Sequence, residues 1–195
     1  GIAHQEVWIS ELTDENFVAN DKERCYYCKH LRFAELLKQA QAQGFEWLLD
    51  GSNVDDLGDY RPGMKAVKEL DKVVSPLLET GFTKAEIREL SAKWDLPTWD
   101  KLSMPCLASR VAYGEKITAE RLQQVEKAEE VVKKYIQGPL RVRHHGDLAR
   151  IEVDRKAIAI MAVPEVAEHL DSALKALGFK YITIDLAGYQ SGSLN

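Results

Sequence analysis

Among the residues suited to unusual chemistry, the three cysteines stand first, and two of them, Cys25 and Cys28, are separated by only Tyr26 and Tyr27. A C-x-x-C pair serves zinc, a redox disulfide or an iron–sulfur cluster equally well. Zinc closes a tetrahedron, so with Cys106 as the remaining cysteine it would have to borrow a histidine, of which His30 is nearest in sequence. Three thiolates without a fourth suit instead a four-iron cluster with one iron left open, which can hold an added sulfide. A plainer alternative is that these thiols are small buried hydrophobes. The tight spacing and the polar flanks Arg24 and Lys29 speak against it.

Other groups extend the candidate site. Asp50-Gly51-Ser52-Asn53 follows a short apolar run, and Asp55-Asp56-Leu57-Gly58-Asp59-Tyr60-Arg61-Pro62-Gly63 continues it in turn residues. Gly51 allows a ligand close approach, Ser52 sits beside it, and Asp55 and Asp56 are oxygen donors for Mg²⁺. Arg61 is the expected phosphate contact, and a solvated acidic turn is the alternative. Arg141 and Arg143 alternate onto one strand face, where paired guanidinium groups suit a phosphate, with Ser109 and Arg110 adding to that pocket. A solvated strand face would read the same way. Glu126 and Glu129 share a helix face and, with Glu152, offer a small and weak divalent carboxylate site, against ordinary surface charge. His144 and His145 point to opposite strand faces and are read as hairpin residues first.

The elements that must position these groups alternate. A strand is expected at Val7 to Ile9, a helix from Lys29 to Gln43 just after the C-x-x-C pair, and a strand from Phe45 to Leu49. Then come a helix from Gly63 to Leu70, a strand at Val73-Val74, and a helix to Lys93 opened by the capping box Thr83-Lys84-Ala85-Glu86. That order argues α/β with a parallel sheet. Beyond Pro97 the pattern loosens, then resumes as a helix from Thr118 to Gln137 and a hairpin of Leu140 to His144 and Leu148 to Val153 around Gly146-Asp147. A helix from Pro164 to Leu177 and a strand from Tyr181 to Leu186 follow. The boundary is set near Gly114, giving residues 1–114 as a partial nucleotide-binding domain and residues 115–195 as a small α+β domain.

The composition narrows the class. The chain has 195 residues, with 45% hydrophobic and 29% charged, ordinary globular values. Its net charge of −5 gives a field that repels a polyanion, so nucleic acid is not the expected partner. The apolar runs are too short to cross a bilayer, and the first residues given do not read as a charged-then-apolar leader. An odd number of cysteines fits reduced intracellular thiols better than a disulfide framework, so a cytoplasmic protein with no membrane partner is expected.

Five stretches carry a resemblance: Arg24-Cys25-Tyr26-Tyr27-Cys28-Lys29; the Asp50 to Gly63 loop; Cys106-Leu107-Ala108-Ser109-Arg110; Arg141 to Val153; and Asp185-Leu186-Ala187-Gly188-Tyr189-Gln190-Ser191-Gly192-Ser193. In this order and from end to end they resemble the LarE family of PP-loop ATP pyrophosphatases. The resemblance implies a Rossmann-like parallel sheet and an ATP-dependent sulfur transferase that adenylates the carboxylates of pyridinium-3,5-biscarboxylic acid mononucleotide. Sulfur then replaces the activated oxygen on the way to the nickel-pincer nucleotide of lactate racemase. AMP is a far better leaving group than a carboxylate oxygen, which is why ATP is needed. By resemblance Cys106 is the sulfur-bearing cysteine. With Cys25 and Cys28 it matches the branch whose [4Fe-4S] cluster carries a replaceable sulfide; in relatives with that cysteine alone, it surrenders its own sulfur and becomes dehydroalanine. ATP, Mg²⁺ and a small nucleotide substrate are the implied ligands, and a homo-oligomer the implied assembly.

One departure stands out. The SGGxDS phosphate loop that names the PP-loop group is absent, and Gly1 aligns well past it. The chain is therefore expected to be a fragment that by itself binds ATP poorly. Two rivals remain: a tRNA thiolase of the same superfamily, which would want a basic surface, and a non-catalytic module held by zinc on the cysteines and a histidine.

Overall fold

The computed structural model describes residues 2–58, 62–101 and 104–190. The chain divides into two compact units, Gly1–Phe17 with Lys22–Met104 and Val18–Asp21 with Pro105–Asn195. Residues 105–114, assigned from sequence to the first domain, thus pack with the second. Asn20 explains why. Its fully buried side-chain amide donates to the carbonyls of Val111 at 3.3 Å, Ala112 at 2.8 Å and Glu115 at 2.8 Å. Gly114 N donates to Asn20 O at 3.1 Å, and Ala112 N donates to His144 O at 3.0 Å. Asn20→Ala is expected to cost roughly 3 kcal/mol, because buried carbonyls lose their donor. Urea unfolding would measure it, and a change within roughly 0.5 kcal/mol would refute the latch.

The first unit contains α1 (Glu15–Ala19, whose last residues belong to the second unit), α2 (Arg24–Ala42), β1 (Leu48–Leu49), α3 (Pro62–Lys68), β2 (Val73–Val74), α4 (Pro76–Glu79) and α5 (Lys84–Lys93). β1 and β2 are parallel, Leu48 opposite Val73 and Leu49 opposite Val74. The expected strand at Val7 to Ile9 does not form: Trp8 is 92% exposed, and no ladder partner lies beside the segment among the described residues. The strand expected from Phe45 shortens to Leu48–Leu49 because its partner β2 is itself two residues long. The capping box at α5 forms as expected, Glu86 N donating to Thr83 Oγ1 at 3.3 Å and Thr83 N to Glu86 Oε2 at 2.8 Å.

The second unit contains α6 (Ala119–Lys133), β3 (Leu140–His145), β4 (Leu148–Val153), α7 (Ile158–Met161), α8 (Pro164–Ala176) and β5 (Tyr181–Ile184). The sheet order is β3-β4-β5, antiparallel then parallel. Gly146, with φ of +62°, makes the tight turn between β3 and β4. Period-two alternation separates the two faces. Leu140 and Val142 of β3 and Ala149, Ile151 and Val153 of β4 join Val132, Leu170 and Leu174 in the core. Arg141, Arg143, Arg150 and Glu152 share the opposite face, with Arg141 opposite Glu152 and Arg143 opposite Arg150. The whole is α/β, with a short parallel pair and a mixed three-stranded sheet. Among the described residues no helix is long and apolar enough to cross a membrane.

Both hairpin histidines sit below the ordinary value of 6.5: His144 through burial and then Arg121, His145 through burial and then Arg150 and Arg143. Glu115 and, for His145, Glu152 oppose these shifts without reversing them. A histidine with a depressed folded pKa contributes stability above its unfolded value and loses it as pH falls. Stability is therefore expected to decline as pH drops from about 7 to about 5.5, and His144→Gln to flatten that slope. Denaturant midpoints at several pH values check this; equal slopes in both proteins would exclude His144 as a contributor.

Candidate functional site

In the first unit the cysteines lie in the first two turns of α2 rather than ahead of it. Nothing between Arg24 and Lys29 breaks a helix, and Glu23 O accepts Tyr26 N at 2.8 Å to start it. Cys25 and Cys28, three residues apart, share one helical face; Cys25 is exposed and Cys28 half-buried. The buried Arg24 brings Nη2 to 3.9 Å from Cys25 Sγ. Cys28 Sγ lies 3.7 Å from Glu11 Oε1, which also takes Arg32 Nε at 3.2 Å. Two soft sulfur donors one turn apart, at least one open to solvent, fit as ligands of a thiophilic metal or cluster.

The loop after β1 is tied to that helix. Asp50, at the strand end, accepts Ser52 Oγ at 2.6 Å, Ser75 Oγ at 2.6 Å, Ser52 N at 3.1 Å and Lys29 Nζ at 3.2 Å. Burial pushes its carboxyl up, but the Ser52 and Ser75 hydrogen bonds and the Lys29 charge outweigh this and hold it below the usual range. Ser52 is buried in this cluster. A Cβ on Gly51 would meet no protein atom within 4 Å, so the chain's own packing does not demand glycine there and its backbone stays open. Asp55 and Asp56 already have backbone partners: Asp55 Oδ2 accepts Lys84 N at 2.6 Å at the start of α5, and Asp56 Oδ2 accepts Asn53 N at 3.0 Å. They shape the loop. Arg61, the expected phosphate contact, lies outside the described residues.

In the second unit Cys106 is exposed at the start of a 3-10 turn, Leu107–Arg110. Its carbonyl accepts Ser109 Oγ at 2.7 Å, Arg110 Nη1 at 2.9 Å and Ser109 N at 3.1 Å. Arg110 is buried and spends its guanidinium within the unit: Nη1 also donates to Pro105 O at 2.6 Å, Nε to Glu129 Oε1 at 2.9 Å and Nη2 to Glu129 Oε2 at 3.3 Å. Glu129 Oε1 further accepts Val142 N at 3.1 Å, capping the edge of β3. Arg143 is also committed, with Nε and Nη2 on Glu152 Oε2 at 3.0 and 2.8 Å and Nη1 on Ser109 O at 3.0 Å. Arg150 Nη2 takes Glu152 Oε1 at 3.0 Å.

The carboxylates of Glu129 and Glu152, read from sequence as a weak divalent site, each bond guanidinium groups in this structure. Within neither unit does a group of three His, Cys, Asp or Glu side chains stand together as a metal would need, among the described residues. Ser109, Arg110 and Arg143, read from sequence as substrate-phosphate contacts, bond the backbone around Cys106. Arg141 differs. Its Nη1 donates to Leu140 O at 2.6 Å, its guanidinium lies 5.1 Å from the centre of the Tyr189 ring, and no carboxylate pairs with it among the described residues. Burial, then the charges of Arg110 and Arg143, depress its pKa, against Tyr189 and Glu129, which raise it. Sequence reasoning missed Asn20, Asp50 and Tyr189; Tyr189 lay inside a quoted motif but had no assigned role.

No protein-family model matches the chain. An uncharacterised protein of Synechocystis sp. is 43% identical over 195 residues, 100% of this chain and 72% of that protein. An uncharacterised protein of Methanocaldococcus jannaschii is 31% identical over 177 residues, 91% of this chain and 68% of that protein. A pyridinium-3,5-bisthiocarboxylic acid mononucleotide synthase of Lactiplantibacillus plantarum is 34% identical over 187 residues, 96% of this chain and 67% of that enzyme. Identity of that level, held across 96% of this chain and two thirds of a named synthase, means that the chain belongs to the LarE family of enzymes.

Proposed function

We propose that this protein is an ATP-dependent sulfur transferase that adenylates the carboxylates of pyridinium-3,5-biscarboxylic acid mononucleotide and converts them to thiocarboxylates. The observation that carries the reading is Cys106: an exposed thiol whose own carbonyl is gripped by Ser109 and Arg110, on a unit whose neighbouring face holds an unneutralised guanidinium at Arg141. An exposed sulfur on a fixed backbone suits attack at an activated carbonyl carbon, and Arg141 suits the phosphate of a mononucleotide. In this reading the loop at Gly51 and Ser52 takes the nucleotide at a strand end of a Rossmann-like PP-loop sheet, with Arg61 on phosphate and Asp55 and Asp56 holding the loop's shape.

Cys25, Cys28 and Cys106 are the thiolates assigned to a [4Fe-4S] cluster. Such a cluster supplies a replaceable sulfide at its open iron. The chain's own residues provide the donors, hold the Cys106 loop and place the substrate phosphate. A cytoplasmic homo-oligomer with ATP and Mg²⁺ as co-substrates completes the reading.

Anaerobically prepared protein is expected to contain about four irons and about four acid-labile sulfides per chain, and Cys25→Ala to lose both. Iron-free protein that still forms thiocarboxylate would make Cys106 the sacrificial donor instead. Zinc without iron, together with no thiocarboxylate, would overturn the proposal in favour of a metal-stabilised module.

A further inference from the structure

We infer that Tyr189 is a positioning residue for Arg141, and that the segment Asp185–Tyr189 forms the wall of the site that takes the phosphate end of the substrate. This rests on the reading of Arg141 as the phosphate-binding group. Past β5 the chain continues along β4, with Asp185 N on Ile151 O at 2.9 Å and Tyr189 N on Val153 O at 2.8 Å. Between them Ala187 N donates to Asp185 Oδ1 at 2.9 Å and Gly188 N to Asp185 O at 3.0 Å, a turn closed on the aspartate. Gly188 is buried at φ +75°, and a Cβ there would stand 2.9 Å from Arg155 Cγ and 3.0 Å from Val153 O. Only glycine lets the segment lie this close to the strand.

The segment delivers one ring. Tyr189 lies 5.1 Å from the Arg141 guanidinium and also walls a recess of about 360 Å³ with Pro139, Asp154, Arg155, Ala187 and Gln190. Arg143 and Arg110, the cations beside it, are each held by a carboxylate, Glu152 and Glu129. Arg141 has the aromatic face where they have a carboxylate. A ring orients the guanidinium plane and favours its charge without neutralising it, so the donors remain available to an oxyanion. A carboxylate in the same place would repel the phosphate.

The test is calorimetric binding of pyridinium-3,5-biscarboxylic acid mononucleotide, and of the same nucleoside without its phosphate, to wild type, Tyr189→Phe, Tyr189→Leu, Arg141→Ala and the Tyr189→Leu/Arg141→Ala double variant. Arg141→Ala is expected to weaken mononucleotide binding by about tenfold or more. Tyr189→Leu should weaken it about fivefold, and Tyr189→Phe should stay within about twofold of wild type. The Tyr189→Leu effect should vanish for the dephosphorylated nucleoside and in the Arg141→Ala background, which a merely structural loss would not do. Wild-type affinity in Tyr189→Leu, or a loss that persists in the double variant, overturns the inference while leaving Arg141 in its role. Unchanged binding in Arg141→Ala, or no binding to wild type, overturns the underlying reading and the inference with it.

Discussion

Replacing Glu152 with alanine is expected to destabilise the second unit by about 3–5 kcal/mol, the cost of removing one partner from a buried ion pair. Glu152 has no exposed surface and receives three guanidinium hydrogen bonds, two from Arg143 and one from Arg150. Its loss would take from Arg143 the carboxylate that two of its nitrogens bond and leave Arg150 with Asp185 alone, 3.7 Å from its Nε, among the carboxylates paired with it in the described residues. Glu152→Gln keeps the shape but not the charge and should fall between alanine and wild type. Glu126→Ala, at an exposed position on α6, should change stability by less than about 0.5 kcal/mol. The four tryptophans, Trp8, Trp47, Trp94 and Trp99, all lie in the first unit, so their fluorescence provides an internal control. Amide hydrogen exchange along β3 and β4 reads the second unit. If those amides keep wild-type protection in Glu152→Ala, the network does not hold the sheet together.

The second unit was the more legible from sequence, and the reason is physical. The helix at 119–133, the hairpin and the helix at 164–176 each show one clear hydrophobic period, bounded by Thr118, Gly146 and Gly178. The first unit has two-residue strands, too short for alternation to mark, and Val7 to Ile9 has strand-like residues with no ladder partner among the described residues. At the candidate site the residue types were legible but not their partners. Arg110 and Arg143 look from sequence like phosphate donors. Their counter-charges lie 19 and 9 residues away, and only the fold shows that Glu129 and Glu152 meet them. Asn20 was invisible for the same reason: its partners are more than 90 residues on. The resemblance carried in five ordered motifs did reach the family, because motif order survives where individual contacts cannot be read.

Cys106→Ala is the substitution expected to have the largest effect on activity. In protein that carries a phosphate loop and is supplied with ATP, Mg²⁺ and the pyridinium mononucleotide, thiocarboxylate formation should fall by about three orders of magnitude or more, as for loss of a reacting nucleophile. Stability should change by less than about 0.5 kcal/mol, because the clamp from Ser109 and Arg110 grips the Cys106 carbonyl and leaves the thiol exposed. Arg110→Lys should do the opposite in kind: the thiol remains, but a lysine cannot bond Glu129 and the Pro105 and Cys106 carbonyls in one plane, so both stability and rate should fall. Mass spectrometry of wild type after turnover then separates the sulfur sources. Loss of one H₂S per chain means that the Cβ–S bond of Cys106 has broken and its α-proton has left, giving dehydroalanine. Unchanged mass with continued product formation means that the transferred sulfur came from elsewhere and Cys106 acted as a ligand. Full activity in Cys106→Ala would remove this cysteine from the chemistry altogether.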